Sequence, residues 1–212
     1  MKARLKPETV WRCFEQISTI PRDSKQEARA REYVVKRAQE LGLDCRVDRA
    51  GNVLVLKPGR RNAKTVVLQA HLDMVCEKNR DTEHDFSRDP IRLVRDGAWV
   101  RAQGTTLGAD NGIGAAAMLA VMEGSDLAHP PLELLFTVDE ETGLTGAMLM
   151  ETGFLTGTTF INLDSEQEGT IIVGCAGGRD TSLHLRVTRV ASPGGCEPCL
   201  VRVSGLKGGH SG

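Results

Sequence analysis

Residues 64–73 read KTVVLQAHLD and residues 132–141 read LELLFTVDEE. Each is a near-continuous apolar run of strand length that ends in residues able to carry a proton or a metal ion. A run with no polar alternation is what a central strand covered on both faces requires. Residues 158–163 form a third such run, ending at Asp164, and residues 171–173 read as a fourth strand. Residues 108–124 open with glycine, Asp110 and Asn111 and continue as AAAMLAVM, the pattern of a buried helix. Helices alternating with apolar strands predict an α/β fold with a mostly parallel sheet.

Outward from these runs the signals are local. Val10, Trp11, Phe14 and Ile17 suit one face of a short helix over residues 7–19, which Ile20-Pro21 ends. Ser24 precedes Glu27 by three, the spacing of a capping box. A second helix is expected from there to about Leu41, through Ala28, Tyr33, Val34 and Ala38, with Gly42 as its stop. Residues 45–48 and 52–56 flank Ala50-Gly51 as a hairpin, and residues 91–94 and 98–101 flank Asp96-Gly97 as another. Pro130-Pro131 breaks the chain, and residues 145–150 suit a short helix. After Gly177-Gly178 the texture changes: residues 181–190 and 197–203 alternate like strands with one solvated face. The expected division is residues 1–177 as one domain and 178–212 as the beginning of a second.

Composition narrows the functional classes. In 212 residues there are 27 Lys and Arg against 28 Asp and Glu, a net charge of −1, so the basic excess of a nucleic-acid binder is missing. No apolar run approaches the roughly 20 residues of a membrane-spanning helix. The charged N-terminus shows no export signal, which points to a cytoplasmic protein with its six cysteines reduced. Cys196-x-x-Cys199 has no second pair to complete a zinc site and is read as structural.

The chemistry concentrates at the strand ends. The first run delivers His71 and Asp73, the second Asp139, Glu140 and Glu141, the third Asp164, and Asp110 opens the buried helix. In open α/β sheets, sites form beyond the carboxyl ends of the strands. One imidazole with several carboxylates suits zinc, manganese or cobalt. In an extended strand His71 and Asp73 point to the same side, so Asp73 can accept a hydrogen bond from the ring nitrogen that faces away from a metal. Of the tandem Glu140-Glu141, one can bind metal while the other takes a proton from water. Taken singly, each feature has a plainer reading: Asp110 as a helix cap, Asp139-Glu140-Glu141 as a solvated turn. His84, His129 and His184 are read as non-catalytic.

The motifs VVLQAHLDMV, GTTLGADNGIG, DEETGLTGA, INLDSEQEG and GLKGGHSG, in that order, resemble the di-zinc aminoacylase/carboxypeptidase clan of metallopeptidases. With NRDTEHDFSRDPI, they resemble more narrowly the aminoacyl-histidine (Xaa-His, carnosine-type) dipeptidases. The resemblance implies a three-layer catalytic domain with a mixed, mostly parallel sheet, followed by a smaller α+β lid domain. It implies two zinc ions, or manganese or cobalt, with His71 and Asp164 on the first, Glu141 on the second and Asp110 bridging. It makes Glu140 the general base, Asp73 the residue that orients His71, and His210 a lid residue that binds substrate or steadies the tetrahedral intermediate. It further implies a small peptide substrate and a homodimer, with no nucleic-acid or membrane partner.

Members of that family are more than twice as long, and their last metal ligand is a histidine from near the C-terminus that residues 1–212 do not contain. The expectation is therefore the N-terminal part of an active dipeptidase, truncated, with one well-formed metal site and little hydrolysis alone. The alternatives are a catalytically dead fragment serving as a binding module, or a related dipeptidase, tripeptidase or N-acyl-amino-acid deacylase of the same clan.

Overall fold

The structure is a computed structural model that describes residues 5–174, 181–192 and 194–202. The chain divides into two compact units, Met1–Ile171 and Ile172–Gly212. The first holds all the regular elements found among the described residues. In chain order these are α1 (Glu8–Ile17), α2 (Ala28–Glu40), β1 (Asp44–Val47), β2 (Val53–Lys57), β3 (Val66–His71), β4 (Leu93–Asp96), β5 (Trp99–Ala102), α3 (Ala109–Glu123), β6 (Leu132–Thr137), α4 (Thr145–Met148) and β7 (Thr159–Asn162).

Five strands form one sheet in the order β1-β2-β6-β3-β7. β3 runs parallel to both β6 and β7, whereas β2 is antiparallel to β1 and to β6. Four of the five strands thus point the same way and β2 alone is reversed, so the sheet is mixed and mostly parallel. β6 is buried along its whole length, in keeping with a mostly apolar run, and its Glu133 is satisfied there by Thr156 and the Gly157 amide. β4 and β5 pair apart from the main sheet as the expected Asp96-Gly97 hairpin.

Strand alternation sorts the core into two faces. Val53, Val55, Ala70, Leu132, Leu134 and Phe136 point to the side where all three long helices pack, meeting Phe14 and Ile17 of α1, Val34 of α2 and Met118, Leu119 and Met122 of α3. Leu54, Val67 and Leu135 point to the other side and meet Phe154 in a smaller cluster. The larger core dominates the energetics: truncating a fully buried phenylalanine such as Phe136 costs about 3–5 kcal/mol. Glu123, near the end of α3, accepts from Arg12 of α1 at 2.5 Å and Arg37 of α2 at 2.6 Å, tying the three helices at one corner.

Several local expectations need correction. The capping box at Ser24 and Glu27 does not form. α2 starts at Ala28 with no side-chain cap and buries Ala30, Val34 and Ala38, while Ser24 and Glu27 turn toward the strand ends described below. Residues 171–173 are not a strand, and the described residues 181–192 and 194–202 contain none. A strand exists through hydrogen bonds to a neighbour, and alternation in the sequence does not supply that neighbour.

Candidate metal centre at the strand ends

β3 and β6 are parallel with His71 opposite Thr137, so the residues after each emerge on the same edge of the sheet. β7 lies on the other side of β3 with Asn162 opposite Gln69, which places Asp164 at that edge as well. α3 packs across β3, and its first turn brings Asp110 over the end of the strand. Parallel pairing therefore gathers four segments that are far apart in sequence.

His71 is fully buried at the centre of this edge. Its Nε2 lies 3.0 Å from Asp110 Oδ1, 3.6 Å from Asp164 Oδ1 and 3.9 Å from Glu140 Oε2. Its Nδ1 faces the other way, 3.2 Å from Asp73 Oδ1 and 3.1 Å from the Asp73 carbonyl. Among the described residues three groups of donor atoms lie within 4.8 Å of one another: His71 with Asp110 and Asp164, His71 with Glu140 and Glu141, and the buried Glu27 with Asp73 and Asp139.

Asp73 is the most heavily engaged carboxylate of this cluster. It accepts from Ser24 Oγ at 2.8 Å, from the Glu140 amide at 3.0 Å and from the Glu141 amide at 3.1 Å, besides facing His71. The side chain that faces the imidazole also accepts from the backbone of the tandem glutamates. The turn carrying them is shaped by Asp139, whose φ of 50° is left-handed, a conformation aspartate tolerates better than most residues. The Asp139 amide donates to Glu27 Oε1 at 3.0 Å, and Thr142 Oγ1 donates to its carboxylate.

Asp110 does not cap the helix. The N-cap position is Gly108, no side chain caps the end, and Asp110 and Asn111 have non-helical backbone. The Asp110–Asn111 peptide bond is cis. Asn111 donates from Nδ2 to Asp164 Oδ1 at 2.6 Å, while its buried Oδ1 has no partner. Asp164 is also held through Asn162, whose Oδ1 accepts the Asp164 amide at 3.0 Å and whose Nδ2 donates to Gln69 Oε1 at 2.6 Å. Gln69 in turn donates to Thr137 Oγ1 at 3.0 Å, so a row of amides and a hydroxyl crosses three strands beneath the site.

The charges answer to one another. Burial pushes the His71 imidazolium down, but Asp73 and Asp164 outweigh it and raise the pKa to about 9. Burial pushes Asp73 up, yet its contact with His71 and the hydrogen bonds from Glu140, Ser24 and Glu141 bring it down to about 2. Asp164 is raised to about 6 by burial and by the negative charges of Asp110 and Glu140, against the pull of His71. Glu141 is also raised, first by burial and then by Asp110. A buried imidazole surrounded by carboxylates that resist ionising together is a site arranged for positive charge.

Residues 67–188 match the model of peptidase family M20/M25/M40. The chain belongs to that family. It is 49% identical over 213 residues to the cytosol non-specific dipeptidase of Escherichia coli, a match that covers 99% of this chain and 44% of the relative. The fold matches the aminoacylhistidine dipeptidase of Vibrio alginolyticus with a TM-score of 0.76 and 52% identity, covering 78% of this chain and 34% of that one. A tripeptidase from Staphylococcus aureus shares the fold, with a TM-score of 0.65 at 21% identity, over 77% of this chain and 44% of that one. The chain thus spans less than half the length of these peptidases.

The structure brings His71, Asp73, Asp110, Glu140, Glu141 and Asp164 to one place. His210 lies outside the described residues. Ser24, Asn111 and Asn162 also touch the site, and their sequence signals were weak or misleading: Ser24 mimics a helix cap, and Asn162 reads as one polar residue in an apolar strand.

Proposed function

We propose that this site hydrolyses dipeptides with two divalent metal ions, zinc first and manganese or cobalt as substitutes. One observation carries the reading: Nε2 of a buried histidine faces three carboxylate oxygens within 4 Å. The residues fit the ions, because imidazole plus carboxylate is a zinc donor set and the crowded negative charge needs a cation. When bound, such ions polarise the scissile carbonyl and acidify water.

The chain's own residues divide the remaining work. His71, Asp110 and Asp164 would hold the first ion, and Asp110 and Glu141 would hold the second. Asp73 takes the hydrogen bond from His71 Nδ1, which leaves Nε2 with its lone pair toward the ion. Glu140 is the general base: it removes the proton from the attacking water and returns it to the leaving amine. Its position suits that role, since the Asp73–amide hydrogen bond fixes its backbone while its side chain stays partly exposed at the rim. A cleft lined by Leu144, Ala147, Met150 and Phe160 reaches Glu140 and Asp164 and offers apolar surface to a peptide side chain. His210 is assigned to substrate or oxyanion binding from a lid domain of which residues 178–212 are the beginning, in a homodimer.

The preferred substrates are Xaa-His dipeptides, including β-alanyl-histidine, within a broader dipeptide range. The aminoacylhistidine dipeptidase supports the first part and the non-specific dipeptidase the second. A cytoplasmic location is in keeping with the latter's name. No described helix is long and apolar enough to cross a membrane.

The test is a chimera in which these 212 residues replace the matching segment of the E. coli dipeptidase. It should cleave Gly-His and β-alanyl-histidine in a zinc-dependent way. Glu140→Gln should keep the metal and lose most of the turnover, on the order of 10²–10⁴-fold. Unchanged turnover would remove Glu140 from the base role. For the 212-residue chain alone, one tightly held zinc and little hydrolysis are expected; two zincs with ready turnover would overturn that expectation.

A further inference from the structure

Arg22 is the bulkiest fully buried side chain among the described residues, 1% exposed, and the mechanism above gives it no task. It follows Ile20-Pro21 in the short connection between α1 and α2. Its Nη1 donates to the Leu72 and Asp73 carbonyls, both at 3.0 Å, and its Nη2 to the Gly108 carbonyl. Its own carbonyl accepts the Met74 amide at 3.0 Å, and Asp23 bridges to Met74. No described carboxylate pairs with the guanidinium, and its buried Nε has no partner. A full positive charge is thus buried beneath the carboxylate cluster and held by main-chain carbonyls alone.

The two segments joined by Nη1 and Nη2 are the ones that carry His71 with Asp73 and Asp110. The glycines around Asp110 have made way for this joint. A Cβ on Gly108 would lie 2.5 Å from Arg22 Nη2, and one on Gly112 would lie 2.7 Å from the same atom. Burying a charge without a carboxylate partner carries a large desolvation cost. Keeping one here therefore requires a return elsewhere.

We infer that Arg22 is a positioning residue for the metal centre: its guanidinium sets the separation of the His71 and Asp110 segments and offsets carboxylate repulsion until the ions arrive. The inference rests on the metal reading proposed above. Arginine suits the task because its planar fork reaches two segments at once, which the single ammonium of lysine cannot do.

The test uses the 212-residue chain, with zinc affinity measured by competition against a chelating dye and metal-free stability measured by thermal unfolding. Arg22→Lys keeps the charge and loses the fork. It should weaken zinc binding by about 10–100-fold, the usual effect of losing a residue that orients metal ligands. Gly112→Ala keeps Arg22 but crowds Nη2, and should weaken binding in the same direction without altering any ligand. The double variant should be no weaker than Arg22→Lys alone, because both changes disturb one joint. Asp110→Asn serves as the control for the site itself. Folded Arg22→Lys protein with wild-type zinc affinity, beside a loss in Asp110→Asn, would overturn the Arg22 role and leave the metal site standing. Additive effects in the double variant would overturn the joint. Failure of the parent chain to bind zinc, or full binding by Asp110→Asn, would overturn the metal reading and this inference together. Should Arg22→Lys not fold, Gly112→Ala alone decides: unchanged affinity there overturns the proposal.

Discussion

The two ends of the candidate site are built differently. At the His71–Asp73 end the side chains of His71, Asp73 and Arg22 are buried and densely held: Asp73 meets His71, Ser24 and two backbone amides, and Arg22 grips the carbonyls of Leu72 and Asp73. At the Asp164 end the carboxylate follows β7, an edge strand whose Phe160 and Ile161 stay about half exposed at 51% and 45%. There Asp164 is held by Asn111 and Asn162, beside His71 and Asp110. A central strand is fixed by neighbours on both sides, whereas an edge strand is fixed by one. Among the described residues, one part of the site is therefore anchored in the core, and the other rests on a strand with a single neighbour.

The sharpest way to break this comparison is to remove the hub of the anchored end. Asp73→Ala should cost about 3–5 kcal/mol of folding stability, because it leaves two backbone amides and the His71 charge without their partner. Urea unfolding of the metal-free protein would measure it, and a loss below 1 kcal/mol would show that the hub is dispensable.

The second effect is electrostatic. His71 in the folded protein has its pKa raised to about 9 from an ordinary value near 6.5. Its contribution is fully present below about pH 6.5 and disappears as the pH rises through 9. Metal-free protein should lose on the order of 2–3 kcal/mol across that window. His71→Gln should flatten the loss. Zinc binding near pH 7 should release a proton from His71, visible as a binding enthalpy that changes with the buffer.

A smaller change is expected at the edge. Asn162→Ala removes the acceptor for the Asp164 amide and the donor to Gln69, and should cost about 1 kcal/mol while weakening zinc binding more than it weakens the fold. The smallest is Ser24→Ala, which removes one of several donors to Asp73 and should cost about 0.5 kcal/mol. If Asn162→Ala destabilised as much as Asp73→Ala, the contrast between the two ends would be wrong.

Legibility in the sequence followed the range of the forces involved. The runs 64–70 and 132–138 announce buried strands because burial on both faces leaves its mark in every residue. The Asp96-Gly97 hairpin and α3 are legible for similar local reasons. Ser24 and Glu27 match a helix-capping spacing, yet the first donates to Asp73 and the second accepts the Asp139 amide. A partner 49 or 112 residues away leaves no trace in a four-residue motif. Nothing near Arg22 in the sequence marks it as buried, because Gly108 and Gly112, which are cleared for it, lie far along the chain. Residues 181–190 alternate as a strand would, but pairing depends on a neighbour.

The sequence by itself determined the α/β class, the main strands and the residue types at their ends, since periodicity and composition are local properties. Only the tertiary structure decided that β3 lies between β6 and β7, which turns scattered acids into a cluster around His71. It alone decided that Asp110 faces a histidine instead of capping a helix, and that a buried arginine joins the two segments. Those outcomes depend on distances between residues far apart in the chain, which close only when the sheet forms.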